Sequence, residues 1–138
     1  PQDLILEITE SVALLDLSYE SKRLHELHNA GFSLAIDDFG TGYSALSQLH
    51  AMPIDMLKID SSFTSRLDTS DGQRIVQAIV QMADALDLKM IVEGVESGET
   101  AQYLQSIGVN YIQGHYYSAA APAGVCDLML QEDVQLFN

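Results

Sequence analysis

The chain is poor in cysteine and in basic residues, and it holds no long apolar run. Its single cysteine, Cys126, excludes a disulfide framework within the chain and fits a reducing compartment. So isolated a cysteine near the C-terminus is by default a packing residue, not a nucleophile. Six Lys and Arg stand against twenty Asp and Glu, a formal charge of −14. Binding DNA or RNA through phosphates needs a basic surface, so neither is expected as a partner. A small phosphate ligand remains compatible where cations intervene. No segment approaches the ~18 consecutive apolar residues of a membrane span, and no basic stretch followed by an apolar run opens the chain. No membrane contact is expected within it, and it reads as cytoplasmic, or as the cytosolic part of a larger, membrane-anchored protein.

What is present is enough for a core. In 138 residues, 47% are hydrophobic and 19% charged, the balance of a globular domain. No low-complexity linker divides the chain, so one domain is expected over residues 1–138. Strand-like and helix-like segments alternate. Short β-rich runs are expected at residues 4–8, 32–37, 55–60, 88–93 and 109–113. Helical spacing marks residues 18–30, where Leu24, Leu27 and Ala30 share a face and Gly31 supplies a stop. A short helix is expected over 43–50, ended by Pro53. The clearest helix spans 71–86, with Ile75, Val76, Ile79, Val80, Ala83 and Leu86 in one stripe and Ser70 with Gln73 as its capping box. A further helix starts at Ser97 or Glu99 and stops at Gly108, and a last short one covers 125–130.

Such alternation implies parallel strands joined by right-handed crossovers, either an open doubly wound sheet or a barrel. The strand ends choose between them. Glu7 and Glu10, Asp37 and Asp38, Lys58 and Asp60, Glu93 and Glu96, and then Gln113 follow the successive strands. An open sheet gathers its useful ends at one switch point, whereas a barrel brings them all to one face. The fold class expected is therefore α/β, a partial TIM-type (βα) barrel of about five parallel strands alternating with helices. Eight strands and ~200 or more residues are usual for the closed form, so a front portion is expected outside the chain. With an open strand edge and apolar helix faces, a homodimer or a strand-exchanged oligomer is expected.

Asp37 and Asp38 are the sharpest local feature. Two carboxylates packed side by side at a strand end repel by about 1 kcal/mol or more, depending on local dielectric, so a cation or proton is expected nearby. A polar turn is the duller reading, since Asp and Gly are ordinary turn residues. Glu7 and Glu93 have a similar competitor as surface carboxylates, and Lys58 as a structural ion-pair partner. Independent surface residues, however, would not all fall at strand ends. His25, His28 and His50 read as solvated, while Met52, Met56, Met82, Met90 and Met129 read as core filler.

The runs Leu6-Glu-Ile-Thr-Glu-Ser11, Ile36-Asp-Asp-Phe-Gly-Thr-Gly-Tyr-Ser44, Leu57-Lys-Ile-Asp60, Val92-Glu-Gly-Val-Glu96 and Gln113-Gly114 resemble successive motifs of the EAL family of cyclic di-GMP phosphodiesterases, in the family's order. The resemblance covers essentially the whole chain and the C-terminal portion of a full EAL domain. The family's signature Glu-Ala-Leu strand, with its metal-binding Glu and nearby Arg, and the next strand's metal-binding Asn are not in the chain. The resemblance implies that Glu7, Asp37, Asp38 and Glu93 are metal ligands, directly or through water. Lys58 would act on the attacking water, and Gln113 would face that water or the metal shell, so Lys58, Glu93 and Gln113 form the implied catalytic set. Glu10 would brace the loop Phe39, Gly40, Thr41, Gly42, Tyr43 and Ser44, which in the family covers the site and couples it to the dimer interface. Asp60 and Glu96 would sit at the rim or support the ligands.

The implied reaction is hydrolysis of cyclic di-GMP to linear pGpG in bacterial second-messenger signalling, with an upstream sensory or GGDEF-type domain as a possible neighbour. The implied cofactor is Mg2+ or Mn2+ at a two-metal site that is incomplete within the chain. Oxygen-only ligands suit those ions, and no Cys/His cluster speaks for structural zinc. Two metals about 3.5–4 Å apart polarise phosphoryl oxygens and activate water. Beside cations, Lys58 is expected to have a depressed pKa. Gly40 and Gly42 free the loop backbone to move over a ligand. His115 stands where the family usually has an aromatic and is a candidate pocket residue. Ser118-Ala-Ala-Ala-Pro122 replaces the family's Ser-Lys-Pro-like ending, which loses a basic residue at the ligand rim. With ligands outside the chain, the isolated chain is expected to be inactive. Two alternatives stay open: a catalytically silent cyclic di-GMP receptor of the same family, and a Schiff-base barrel enzyme with Lys58 as nucleophile.

Overall fold

The computed structural model describes residues 4–13, 19–42, 49 and 52–131. In chain order the elements are β1 (Ile5–Thr9), α1 (Glu10–Ala13), α2 (Tyr19–Asn29), β2 (Ser33–Phe39), β3 (Met56–Ile59), α3 (Ser61–Thr64), α4 (Ser70–Ala85), β4 (Lys89–Val92), α5 (Gly98–Ser106), β5 (Tyr111–Ile112) and α6 (Ala123–Gln131). The expected short helix at 43–50 lies outside the described residues apart from Leu49, which is buried.

All four strand pairings are parallel and the strands follow one another in sequence order, β1-β2-β3-β4-β5. There is no point in this sheet where the order reverses, as a doubly wound fold requires. The side-chain layers agree. Leu34, Ile36, Leu57, Ile59, Met90 and Val92 alternate onto one face and join Leu24 of α2, Val76, Val80 and Ala83 of α4, and Ala101 and Leu104 of α5 in one buried cluster. The opposite face carries only a small separate cluster of Ala35, Met56 and Ile91. Helices α2, α4 and α5 on one face, over strands in sequential order, make this a barrel-type arrangement among the described residues.

Helix α4 shows how local chemistry sets the boundaries. It begins at Ser70, with Thr69 as its cap: the Thr69 hydroxyl accepts from Gly72 N at 3.0 Å and donates to Arg66 O at 2.8 Å. The expected box between Ser70 and Gln73 is not made, because a start one residue earlier places Gln73 beyond the third helical position. Its amide instead donates to Leu67 O at 2.9 Å. The buried stripe is narrower than the sequence implies: Val76, Val80 and Ala83 are buried, while Ile75 is 43% exposed. Ser97 caps α5 by accepting from Thr100 N. The fifth strand is only two residues long, Tyr111–Ile112, yet Gln113 still donates its backbone N–H to Val92 O at 2.8 Å. Cys126 on α6 is exposed, not packed.

Candidate metal centre

Because alternate strand residues face opposite ways, the face opposite α2, α4 and α5 receives Glu7 from β1, Asp37 from β2, Met56 and Lys58 from β3, and Ile91 from β4. Glu93 follows β4 directly, with its N–H donating to Ile59 O at 3.1 Å. These residues converge. Lys58 Nζ lies 2.8 Å from Glu7 Oε2, 3.2 Å from Asp37 Oδ1 and 2.8 Å from Glu93 Oε1. The lysine side chain is only 4% exposed, while its three partners are partly open to solvent. Three carboxylates around one ammonium leave the group with two net negative charges.

Burial works against the Lys58 ammonium, but hydrogen bonds to Glu7, Glu93 and Asp37 outweigh it, and its pKa is pushed well above the ordinary lysine value. The depression expected from the sequence is for a lysine beside cations; with carboxylates as the neighbours of Nζ the shift is upward. Among the described residues, no three Asp, Glu, His or Cys side chains are grouped to hold a metal ion. The ammonium stands at the point on which Glu7, Asp37 and Glu93 converge.

Asp38 is not one of the three residues on Lys58. Its φ of 57° is left-handed, a region that Asp tolerates better than most residues. The pairing of β2 with β3 runs Ala35 to Met56 and Ile36 to Leu57, then resumes at Phe39 to Ile59, so β2 uses one residue more than β3. That extra residue is a bulge. Unbulged alternation would turn Phe39 to the same face as Asp37, whereas with the bulge Phe39 is buried in the helix-side core. Asp38 therefore has a backbone role that the sequence reading did not foresee.

The loop after β2 is tied to the start of α1. Glu10 is 3% exposed, and its Oε2 accepts from Gly40 N at 2.9 Å and Gly42 N at 3.3 Å. Thr41 closes the turn onto Asp38 O through its hydroxyl at 2.8 Å. Tyr43 lies outside the described residues. Asp60 caps α3, accepting from Ser62 N at 3.0 Å, and hydrogen bonds from the Ser62 side chain first, and then from its backbone N–H, hold its carboxyl below the usual range. Glu96 is exposed and, with Glu93, Gln113, His115 and Ser61, lines a cavity of about 410 Å³ beside the strand ends. A second cavity of about 520 Å³ lies against Ile5, Met56, Ile91, Tyr111 and Gln113, so Gln113 stands between the two.

One positioning residue escaped the sequence reading. Thr64 of α3 is buried and donates its hydroxyl to Glu93 O at 2.5 Å. The next residue, Gly94, has a φ of 71°, and a Cβ there would lie 2.7 Å from Ser61 Cβ. Helix α3 thus packs directly on the peptide that carries Glu93. The only sequence signal was a threonine at the end of Ser61-Ser-Phe-Thr64, a run that followed a strand and carried no periodicity.

An acidic centre at the C-terminal ends of sequentially ordered parallel strands defines a barrel-type α/β domain with its chemistry on one rim. Comparison with known proteins places it further. The EAL domain model matches residues 1–120, and the chain belongs to the EAL domain family. It is 43% identical over 122 residues to the probable cyclic di-GMP phosphodiesterase PdeD of Escherichia coli K12, a match that spans 88% of the chain and 23% of PdeD. Among solved structures, the PaMucR phosphodiesterase in complex with c-di-GMP matches with a TM-score of 0.87 at 41% identity, over 91% of the chain and 51% of the chain in that structure. The manganese/cy-diGMP complex of Klebsiella pneumoniae BlrP1 matches with a TM-score of 0.76 at 35% identity, over 84% of the chain and 30% of the chain in that structure. The chain spans about a quarter of PdeD and half of the PaMucR structure. Its fold is that of part of a TIM-type barrel, as the strand ends had implied.

Proposed function

We propose that the chain serves metal-dependent hydrolysis of cyclic di-GMP to linear pGpG, and that residues 1–138 form the C-terminal portion of a single EAL-type barrel domain. The observation that carries this reading is the convergence of Glu7, Asp37 and Glu93 on one buried lysine at the rim of the sheet. The oxygen-only, net negative donor set fits a hard divalent cation such as Mg2+ or Mn2+, and Glu7, Asp37, Asp38 and Glu93 are the residues that would hold it. When bound, such a cation offsets phosphate charge and makes water a better nucleophile.

The chain's own residues do the positioning. The three N–H donors of the Lys58 ammonium hold Glu7, Asp37 and Glu93 together in a nearly water-free setting, and the ammonium stands where its charge would act on an attacking water or an anionic phosphoryl oxygen. Gln113, on the cavity shared with Glu93, presents both a donor and an acceptor to the same region. Glu10 fixes the amides of Gly40 and Gly42, so the loop that begins at Phe39 is held at the site's edge and can exclude water from it. Asp60 fixes the start of α3, and Glu96 stands at the cavity rim.

The test is production of pGpG by the protein carrying these residues, with Mn2+ and with EDTA, followed chromatographically. Metal-dependent product that disappears in Glu93→Gln supports the reading. Tight cyclic di-GMP binding with no product under any metal would replace it with the receptor reading. The 138 residues alone are expected to turn over far more slowly, because Glu7 sits on β1 at the edge of the described sheet. That same edge is the basis for proposing a homodimer or strand-exchanged oligomer, checked by sedimentation. PdeD and MucR are several times longer than their matched segments, which supports a sensory or cyclase domain in the same protein.

A further inference from the structure

We propose that α3, the single turn Ser61–Thr64, is a rigid coupler that sets the position of Glu93 and of the loop at residues 40–42 together, with Phe63 as the positioning residue on the loop side. Three contacts from three different residues carry the inference. The tip of the Phe63 ring takes the place a side chain at residue 40 would need: a Cβ on Gly40 would lie 2.7 Å from Phe63 Cζ and 2.9 Å from its Cε2. The adjacent residue, Thr64, donates its hydroxyl to Glu93 O at 2.5 Å. Ser61 abuts Gly94, where a Cβ would lie 2.7 Å from Ser61 Cβ. One turn of helix therefore touches both the loop and the peptide that carries the acid.

The turn is well braced for its length. Phe63 N donates to Asp60 O at 3.1 Å, Ser65 N to Ser61 O at 3.0 Å and Arg66 N to Phe63 O at 3.1 Å. The Asp60 carboxylate accepts from Ser62 N at one end, and the Ser65 hydroxyl donates to Ser62 O at the other. On its far side the loop is held by Glu10, which accepts from Gly40 N and Gly42 N. Glu10, Gly40, Phe63, Thr64 and Glu93 thus form an unbroken line of contacts from the start of α1 to the acidic centre. Close-packed contacts deform little, so a displacement of the loop is passed to Glu93 and not absorbed between them. By linkage the reverse also holds: whatever fixes Glu93 fixes the loop. The bearing of this coupling on catalysis rests on the proposed role of Glu93, whereas the coupling itself does not.

The test is hydrogen exchange read by mass spectrometry, without substrate, on the full-length protein that carries these residues. Wild type is compared with Phe63→Ala, Phe63→Leu and Thr64→Val. Peptides covering 39–42 and 93–95 are read relative to α2, which takes no part in these contacts and reports loosening of the whole domain. Phe63→Ala cuts the coupler on the loop side and should speed exchange at least about fivefold relative to α2 at 93–95 as well as at 39–42. Thr64→Val cuts it on the acid side and should do the same at 39–42 as well as at 93–95. Phe63→Leu keeps apolar bulk against Gly40 and should restore part of the protection at both segments. The double variant Phe63→Ala with Thr64→Val should exceed the larger single effect by much less than the product of the two, because either cut alone releases the turn.

Variants that each loosen only their own side, or a rise no greater than that of α2, overturn the proposal. Should Phe63→Ala fail to fold, Thr64→Val decides alone through exchange at 39–42. No arm reads phosphodiester cleavage. Coupled exchange in a protein that makes no pGpG would count against the proposed reaction and leave the role of α3 standing, and pGpG production with uncoupled exchange would do the opposite.

Discussion

Replacing Thr64 by valine removes one hydroxyl from the back of the acidic centre and almost nothing else. Thr64 is 8% exposed and donates to Glu93 O at 2.5 Å, while the Glu93 N–H is engaged by Ile59 O at 3.1 Å. The Glu93 peptide is thus gripped on both sides, and its carboxylate reaches Lys58 Nζ at 2.8 Å. A net hydrogen bond of this kind contributes about 0.5–1.5 kcal/mol, and a carbonyl left without a partner costs about 1–3 kcal/mol. The added methyl recovers up to about 0.8 kcal/mol of apolar burial. The expected loss is therefore about 1–2 kcal/mol. For a domain of this size that is a Tm decrease of roughly 3–8 °C, with a lower urea midpoint and an unchanged denaturant slope. Thr64→Ser keeps the donor and loses a methyl, so its cost should be smaller, about 0.5–1 kcal/mol. A valine variant as stable as wild type, or a serine variant less stable than the valine one, would refute the account of Glu93.

Three further outcomes follow from the same geometry. A Cβ on Gly114 would lie 2.1 Å from Val95 O and 2.4 Å from Val95 N, both backbone atoms that cannot step aside, so Gly114→Ala should cost more than about 2 kcal/mol and shift Gln113; an unchanged melting curve contradicts the close approach. At Asp38 the left-handed φ of 57° costs a residue with a Cβ about 1–2 kcal/mol, so in EDTA the order of stability should be Asp38→Gly at or above wild type and Asp38→Val well below it, by urea denaturation. Asp60 has a folded pKa below its ordinary value of 3.8, because Ser62 donates to the ionised carboxylate. Its contribution is complete above 3.8 and disappears as pH falls through the lower folded pKa. Asp60→Asn should therefore differ from wild type by a constant amount at neutral pH and converge with it in acid; a gap that widens as pH falls would reverse the sign.

The order of strands and helices was readable because hydrophobic alternation reports which faces are buried, and parallel register then carries strand-end residues to a common rim. Glu7, Lys58 and Glu93 each had an ordinary reading alone, and their meeting with Asp37 depends on the register of three strand pairs. What could not be read were choices made by tertiary contact. Thr69 displaced Ser70 as the cap of α4 because the preceding turn carries Arg66 O to its hydroxyl. Helix α3 is a single turn with no period to detect, and Thr64 became important only when it was folded against Glu93.

Asp37 and Asp38 show why the two kinds of signal differ in weight. Their adjacency invites a metal reading for both, and the bulge between Ile36 and Phe39 gives the pair the irregular backbone that such sharing requires: Asp37 joins the carboxylates on Lys58, while Asp38 also takes the left-handed turn that returns Phe39 to the core. Two successive strand residues normally face opposite ways, so neighbouring acids in one strand share a site only if the backbone departs from regular pleating. One acid at the end of each of several parallel strands needs no such departure. That dispersed pattern is the stronger evidence for a common centre, and here it is the pattern that places Glu7, Asp37 and Glu93 around one lysine.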